Sequence, residues 1–336
     1  MDFRDLEKRE GIPSPTRARA GVLSTISIIS TNDPSQWPFI EKTNSYLETL
    51  DLPRWHTRPR ITRLLLSILA IAAFLIPPKI WQIYLSFSRE AIAGYSMYIH
   101  SFISHSPSHT YTLLDSQGAL SIISRLSESK THAHILPLFY AMSRRVMRAD
   151  FLRYLLLAIE GGVYSDMDTE MVKPLWEWVP DAYKSRTKLI VGLEADQNPP
   201  VPGTTYPVQF CQWTLASAPG HPAMWTMVER ILDEVKKRPY EIPMKDVDYS
   251  DKEVLDITGP AGWTEVVFEY LSLAAGEEVS WRNLTGMRSP RLFGDVLVLP
   301  IDAFASGVPH SGASAGGEGG ALVRHQFQGS WKGGDR

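Results

Sequence analysis

The chain has a single cysteine and almost no excess of charge. Cys211 cannot form an intramolecular disulfide, and its apolar and aromatic neighbours predict a buried structural thiol. The formal net charge of −3 over 336 residues provides no overall field that would favour nucleic acid or an anionic membrane. A Cys/His metal cluster, a Walker-type glycine loop and an internal repeat are all absent. What remains is a chain with 44% hydrophobic residues, which fits an ordinary globular core.

Long apolar runs are also scarce in the N-terminal part. Residues 1–60 are rich in Arg, Ser, Thr and Pro without a sustained period, which predicts a mobile tail. The uncharged run 64–76 has 13 residues, whereas a membrane-spanning helix needs about 20. Four arginines between 54 and 63 precede the run and would keep the N-terminus cytosolic if it spans a membrane. A signal anchor over 61–76 and a buried core helix are both open interpretations.

From residue 79 onward, candidate strands and helices alternate. The predicted strands are 79–85, 110–114, 189–193 and 295–299, and the predicted helices are 116–125, 147–160 and 222–237. This alternation predicts an α/β fold with a mostly parallel sheet flanked by helices. Ligands of such sheets collect at the carboxyl ends of the strands. The Gly- and Ser-rich stretch 306–320 predicts an open loop over the site or a disordered segment.

The most informative segment is 148–168, which reads RADFLRYLLLAIEGGVYSDMD. Apolar residues at three- and four-residue intervals predict a helix with a buried face, and Gly161 lies where a helix end favours a positive φ. A short strand then begins at Val163. If it continues as far as Asp168, then Tyr164, Asp166 and Asp168 point to one side. Two carboxylates there can hold Mg²⁺ or Mn²⁺ bridging phosphates, although a bare D-x-D triplet is more typical of a solvated turn.

Two charged residues interrupt the apolar helix pattern. Asp150 and Arg153 are three positions apart and therefore lie on one face of the helix. A surface ion pair is the simplest interpretation of such a spacing.

Taken together, these features resemble the sugar-nucleotide-binding core of retaining GT-A glycosyltransferases with a DXD motif, notably glycosyltransferase family 32. Within that family the chain is similar to the fungal initiation-specific α-1,6-mannosyltransferases of the Golgi. Further similar blocks occur in the expected order at 78–82, 190–196, 209–214, 219–222, 258–260, 296–300 and 325–332. The resemblance implies a GT-A catalytic domain over 77–336 and favours the signal anchor over 61–76.

The resemblance also implies roles for individual residues. It implies catalytic roles for Asp150, Arg153, Asp166 and Asp168, and a divalent cation, expected to be Mn²⁺, held by Asp166, Asp168 and His325. It implies donor binding by Tyr84 (less so Trp81), Gly161, Gly162, Tyr164, Ser330 and Trp331, with Lys332 near the diphosphate. For Tyr84 and Trp81 the alternative is a core aromatic. Candidates for the acceptor side are Glu194, Asp196, Gln209 and Trp213, with Gln212 beside them, although a turn or an amphipathic strand would look the same.

The activity implied is retaining transfer of mannose from GDP-mannose to an N-glycan mannose in α-1,6 linkage. The expected location is the Golgi membrane with a lumenal catalytic domain, where other Golgi mannosyltransferases are possible partners. Mannosylation of a sphingolipid (inositol phosphoceramide) and a non-catalytic role in a Golgi mannan-polymerising complex are the alternatives. The sequon Asn283-Leu284-Thr285 would be available for glycosylation in the lumen.

Overall fold

The computed structural model describes residues 26–29, 76–85, 89–238, 249–308, 311–314 and 320–328. The expected tail 1–60, apart from 26–29, and nearly all of the expected anchor 61–76 lie outside these residues, as do Ser330, Trp331 and Lys332. Among the helices in the described part of the chain, none is long and apolar enough to cross a membrane.

Eleven strands and ten α-helices make up the described part of the chain. The strands are β1 (Ile26–Ile29), β2 (Lys79–Ile83), β3 (Thr110–Leu114), β4 (Gly162–Ser165), β5 (Thr169–Met171), β6 (Leu189–Asp196), β7 (Val208–Phe210), β8 (Thr214–Ser217), β9 (Arg291–Phe293), β10 (Val296–Leu299) and β11 (Val323–His325). The helices are α1 (Arg89–Ala93), α2 (Ser96–His105), α3 (Ser116–Ser127), α4 (Ile135–Ala141), α5 (Arg145–Ile159), α6 (Pro222–Lys236), α7 (Asp251–Ile257), α8 (Pro260–Ala275), α9 (Trp281–Leu284) and α10 (Asp302–Ala305).

Nine of these strands form one mixed sheet in the order β1-β3-β2-β4-β8-β6-β10-β9, with β7 paired to β6. β1, β2, β3, β4, β6 and β10 run in one direction, and β7, β8 and β9 oppose them. β5 and β11 form a separate antiparallel pair. The expectation of an α/β fold with a mostly parallel sheet flanked by helices is therefore confirmed, although three antiparallel strands make the sheet mixed.

All seven elements predicted from hydrophobic patterning are present, with ends that differ by three residues or fewer. The strand 110–114 is reproduced as β3, whereas β6 continues to Asp196. Cys211 is buried, as its apolar neighbours predict. The short elements around the sheet, such as β5 and β11, carry too few residues for a periodic pattern to mark them.

The central helix α5 is buried far more completely than an amphipathic pattern indicates. Eleven of its fifteen residues are buried, because the helix packs against both the sheet and α6. Asp150 and Arg153 are among them, with relative exposures of 1% and 4%. The interpretation of these residues as a surface ion pair is therefore wrong.

The double glycine after α5 makes the sharp turn into β4. Gly161 and Gly162 have φ values of 63° and 105°, and the positive φ expected at the helix end is confirmed. A Cβ on Gly162 would lie 2.6 Å from the Lys79 carbonyl oxygen, and one on Gly161 would lie 2.7 Å from Pro219. Both glycines lie at the start of β4, and Asp166 follows its other end. Close packing thus explains them, and the structure does not bring them to the site as the donor-binding role requires.

Candidate active site

Asp166, Asp168 and His325 converge at the carboxyl end of β4. Their potential ligand atoms all lie within 4.8 Å of one another. His325 arrives through the pairing of β11 with β5, which places it opposite Thr169, just after the D-x-D segment. The two aspartates are close in sequence, whereas the histidine is brought to them only by this tertiary pairing.

The local geometry differs from the expected one. β4 ends at Ser165, and Asp166 to Asp168 form a turn instead of continuing as a strand. The Asp166 carbonyl oxygen accepts the Thr169 Oγ1 hydroxyl at 2.5 Å, and its amide donates to the Trp213 carbonyl oxygen at 2.9 Å. The carboxylates are therefore brought together by a closed turn and not by strand alternation.

A buried amide anchors this turn from below. The Gln82 side chain, with no solvent exposure, donates from Nε2 to the Asp166 carbonyl oxygen at 2.8 Å. Its Oε1 accepts the buried Tyr111 hydroxyl at 2.5 Å. Gln82 is not among the residues expected to act in the site, although it lies in the similar block 78–82. The signal was a polar residue inside an otherwise apolar strand.

The Arg153 guanidinium connects the helix to the turn. Its Nη2 lies 2.5 Å from Asp150 Oδ1 and 3.4 Å from Asp166 Oδ1, and its Nη1 donates to the Gln212 carbonyl oxygen at 3.0 Å. The same group lies 4.7 Å from the centre of the Tyr164 ring, whose hydroxyl donates to Asp166 Oδ1 at 2.5 Å. These contacts hold Asp166 in one orientation from two sides.

Asp150 has a second partner that sequence reasoning missed. Thr258 donates from Oγ1 to Asp150 Oδ2 at 2.9 Å, and the Thr258 carbonyl oxygen accepts the Tyr154 hydroxyl at 3.2 Å. Thr258 lies in the similar block 258–260, which was the available signal.

The carboxylates of the site differ in their environments. Burial raises the pKa of Asp150 to about 6, although Arg153 and Thr258 oppose this. Burial likewise raises the pKa of Glu194. Burial opposes ionisation of Asp168 as well, but the hydrogen bond and charge of His325 and the Gln328 amide outweigh it and lower its pKa. Asp168 is therefore held as an anion, which is the form that binds a cation.

The cluster fits a hard divalent cation. Two carboxylates and an imidazole are donors that suit Mn²⁺ or Mg²⁺. His325 Nε2 lies 3.1 Å from Asp168 Oδ1. With the potential ligand atoms of all three side chains within 4.8 Å of one another, these residues could hold one ion together.

A pocket of about 420 Å³ opens over this cluster. Its polar lining includes Asp150, Arg153, Asp166, Asp168, Glu194, Gln212 and His325, and its aromatic lining consists of Trp213 and Phe327. Val308 and Ser311 also line it, in agreement with the expected loop over the site. The four residues expected to be catalytic, the three expected cation ligands and two of the acceptor-side candidates therefore meet in one cavity.

Not every acceptor-side candidate reaches this cavity. Glu194 lines it, and buried Gln209 supports Glu194 from behind through an Nε2 to Oε2 hydrogen bond of 2.9 Å. Asp196 instead accepts hydrogen bonds from Thr285 Oγ1 at 2.7 Å and the Gly286 amide at 2.6 Å. Its carboxylate fixes the turn after α9, so the structure does not bring it to the site.

The two aromatic candidates of β2 are placed differently. Trp81 is buried and donates from Nε1 to the Gly161 carbonyl oxygen at 2.9 Å, which makes it a core residue. Tyr84 follows the carboxyl end of β2, is half-buried, and lies 5.6 Å from the ring of Tyr95. The Tyr95 hydroxyl in turn donates to Gln328 Oε1 at 3.3 Å. Tyr84 therefore lies at the same edge of the sheet as Asp166, and Trp81 does not.

The chain is similar in sequence to known glycosyltransferases with a DXD motif. Residues 94–185 match the family described as glycosyltransferase sugar-binding region containing DXD motif. The initiation-specific alpha-1,6-mannosyltransferase of Schizosaccharomyces pombe is 38% identical over 261 residues, 76% of this chain and 64% of that protein. The protein of the same name from Candida albicans is 36% identical over 57% of this chain and 55% of its own length. That of Saccharomyces cerevisiae is 24% identical over 76% of this chain and 78% of its own length. The chain thus spans less than two thirds of the first two of these relatives.

Proposed function

From the DXD glycosyltransferase domain that this chain contains, we propose that the protein is a retaining GT-A mannosyltransferase. It transfers mannose from GDP-mannose to a mannose of an N-glycan in α-1,6 linkage, with Mn²⁺ as the cation. The convergence of Asp166, Asp168 and His325 in a pocket is the observation that carries the proposal. The names of the relatives support the sugar and the linkage.

In this mechanism the chain's own residues bind and orient the donor. Asp166, Asp168 and His325 would hold the cation, which would supply positive charge next to the diphosphate leaving group. The Asp150 carboxylate accepts hydrogen bonds from Arg153 and Thr258 and lines the pocket, where it can also accept from a donor-sugar hydroxyl. Arg153 is fixed by Asp150, Asp166 and Gln212, so it does not have to reorganise when the donor binds. A front-face route, in which the leaving phosphate deprotonates the acceptor, requires no nucleophile from the protein.

The order of the strands places different residues on the two sides of the cation site. Along the carboxyl edge of the sheet, Tyr84 follows β2, Asp166 follows β4, Trp213 precedes β8, and Glu194 lies in β6. The half-buried Tyr84 and Tyr95 rings therefore flank the cation site on one side, and Trp213 and Glu194 flank it on the other. We assign the nucleotide to the tyrosine side and the acceptor to the Glu194 side.

The setting of the enzyme is part of the same proposal. A single-pass anchor over 61–76 would place the catalytic domain in the Golgi lumen, next to other mannosyltransferases. The assembled set of Asp150, Arg153, Asp166, Asp168 and His325 favours an enzyme over a non-catalytic subunit, because an inactive chain has no need to keep these contacts.

The decisive experiment is an assay of the purified full chain with Mn²⁺, a panel of sugar nucleotides and a high-mannose glycan. We expect transfer from GDP-mannose and a product whose new linkage is α-1,6 by NMR. Asp168→Ala should lower transfer more than about 100-fold, because it removes a ligand of the cation. Asp181→Ala is the matched control, since the Asp181 side chain is 95% exposed. Full transfer by Asp168→Ala, or no transfer from any sugar nucleotide by the parent protein, would refute the proposal.

His325 is tested by its effect on the cation. His325→Ala should raise the Mn²⁺ concentration for half-maximal activity by about tenfold, since one of three protein ligands is lost. Manganese titrations of parent and variant at one neutral pH measure this. Superimposable curves would remove His325 from the ligand set.

A further inference from the structure

Phe327 has an unusual backbone conformation at the edge of the pocket. With φ of 48° it is the one non-glycine residue of positive φ among the residues that the structure describes. Such a conformation is unfavourable for a bulky side chain and persists only where the surroundings impose it. The side chain is also 44% exposed, which is unusual for a phenylalanine held so firmly.

Both neighbours of Phe327 are tied to one residue of the cation site. The Gln326 amide donates to the Asp168 carbonyl oxygen and the Gln328 amide to Asp168 Oδ2, each at 3.0 Å. The chain must therefore bend around Asp168 at the residue between them. The left-handed φ of Phe327 is the consequence of this double attachment.

The bend presents the Phe327 ring to the pocket on an aromatic base. Its centre lies 4.1 Å from that of His325 and 6.0 Å from that of Trp213, and the last two are 4.5 Å apart. Trp213 is buried, so it supports the exposed ring from behind. The pocket also contains Glu194, whose carboxylate accepts hydrogen bonds from hydroxyls.

A rigid aromatic surface beside carboxylates is suited to a pyranose ring. The C–H face of a hexose carries partial positive charge and is attracted to the negative face of an aromatic ring, while its hydroxyls donate to carboxylates. Trp213, which the Phe327 ring contacts edge-on, lies on the side of the cation site away from Tyr84. A hexose against Phe327 would thus lie on the side that we assign to the acceptor.

We propose that Phe327, supported by Trp213, is the platform on which a hexose ring of the acceptor lies. The statement that this hexose belongs to the acceptor rests on the proposed function. The binding of a hexose to Phe327, however, can be measured without any transfer. The cation site and the sugar platform are linked through Asp168, because it accepts hydrogen bonds from the residues on both sides of Phe327.

The test is a titration of the purified full chain with α-linked mannobiose, followed by NMR or tryptophan fluorescence. Phe327→Ala should weaken binding by about tenfold and raise the acceptor KM by a similar factor, with a smaller change in kcat. Phe327→Trp should restore binding, since it retains an aromatic face. Trp176→Ala, at a 56% exposed aromatic residue outside the pocket, is the matched control and should bind like the parent protein.

Each other outcome has a definite meaning. Unchanged mannobiose binding by Phe327→Ala overturns the inference, whatever the enzyme transfers. A raised KM for the sugar nucleotide with an unchanged acceptor KM would also overturn it, by placing the donor on the ring. A shifted manganese titration curve with unchanged mannobiose binding would overturn the inference, because Phe327 would then only support Asp168. If the parent protein binds mannobiose through Phe327 but transfers nothing, the proposed function fails and the platform stands.

Discussion

Replacing Asp150 by alanine removes the carboxylate that neutralises a buried guanidinium. In the parent protein Asp150 Oδ1 lies 2.5 Å from Arg153 Nη2, and Asp150 Oδ2 accepts the Thr258 hydroxyl at 2.9 Å. Both members of the ion pair are almost fully buried, with exposures of 1% and 4%. Water approaches the pair only from the pocket that both residues line, so it compensates poorly for the lost partner.

Breaking one side of a buried ion pair costs about 3–5 kcal/mol of unfolding free energy. Arg153 would retain Asp166 at 3.4 Å and the Gln212 carbonyl oxygen at 3.0 Å, which places the expected loss near the lower end. A loss of about 3 kcal/mol lowers the Tm of a domain of this size by about 6–12 °C. Asp150→Asn keeps the shape and one acceptor oxygen for Arg153, and its NH2 group can donate to the Thr258 hydroxyl oxygen, so it should lose only about 1–2 kcal/mol.

Urea denaturation and thermal melting of the purified variants measure these differences. Asp181→Ala again serves as the control, because a surface substitution should change stability by less than about 0.5 kcal/mol. If Asp150→Ala is as stable as this control, Asp150 and Arg153 do not form a structural pair, and the reasoning fails. If Asp150→Asn is stable but transfers poorly, the carboxylate has a role in binding the donor beyond its structural one.

Two further outcomes follow from contacts around the site and beside the sheet. Gln82→Leu removes the donor to the Asp166 carbonyl oxygen and should lower stability by about 2 kcal/mol and raise the manganese requirement; a parental manganese curve would contradict its positioning role. Burial would raise the pKa of Asp295, but the hydrogen bonds and charges of His221 and Lys188 outweigh it and bring the pKa down to about 2. Because this pKa lies below the unfolded value, Asp295 contributes stability above about pH 4 that is lost as the pH falls towards 2. Because the carboxylate is partly exposed and its charge interactions are screened, the difference in unfolding free energy between parent and Asp295→Asn should shrink by only about 1 kcal/mol across that window, and a constant difference would show that folding does not stabilise the ionised carboxylate.

The local parts of this protein could be predicted from the chain because they depend on neighbouring residues. Strand 110–114 is a short run of Thr, Tyr and Leu between a turn and a helix, and Gly161 follows a helix end that favours positive φ. Cys211 lies in an apolar run and is buried. The position of Asp166 at the carboxyl end of a strand also needed only the short segment around it. Periodicity and capping carry this information over a few residues.

The remaining features depended on which distant elements meet. His325 lies next to Asp168, which is 157 positions away along the chain, because β11 pairs with β5. Resemblance to a family identified that histidine, but no local pattern did. Asp150 and Arg153 have the spacing of a surface pair, and only packing of α5 against the sheet and α6 buries them. Of the two carboxylates of β6, Glu194 lines the pocket, whereas Asp196 is turned towards α9.

Seven strands and helices, the double-glycine turn and the acidic triplet follow from the amino-acid pattern, because backbone propensity and hydrophobic period act within a few residues. Three further features depend on tertiary contacts: the triplet forms a closed turn over Gln82, the chain bends around Asp168 at Phe327, and the glycines pack against Lys79 and Pro219. These contacts join residues far apart in the chain, and their geometry follows from strand order and close packing, which local patterns do not encode.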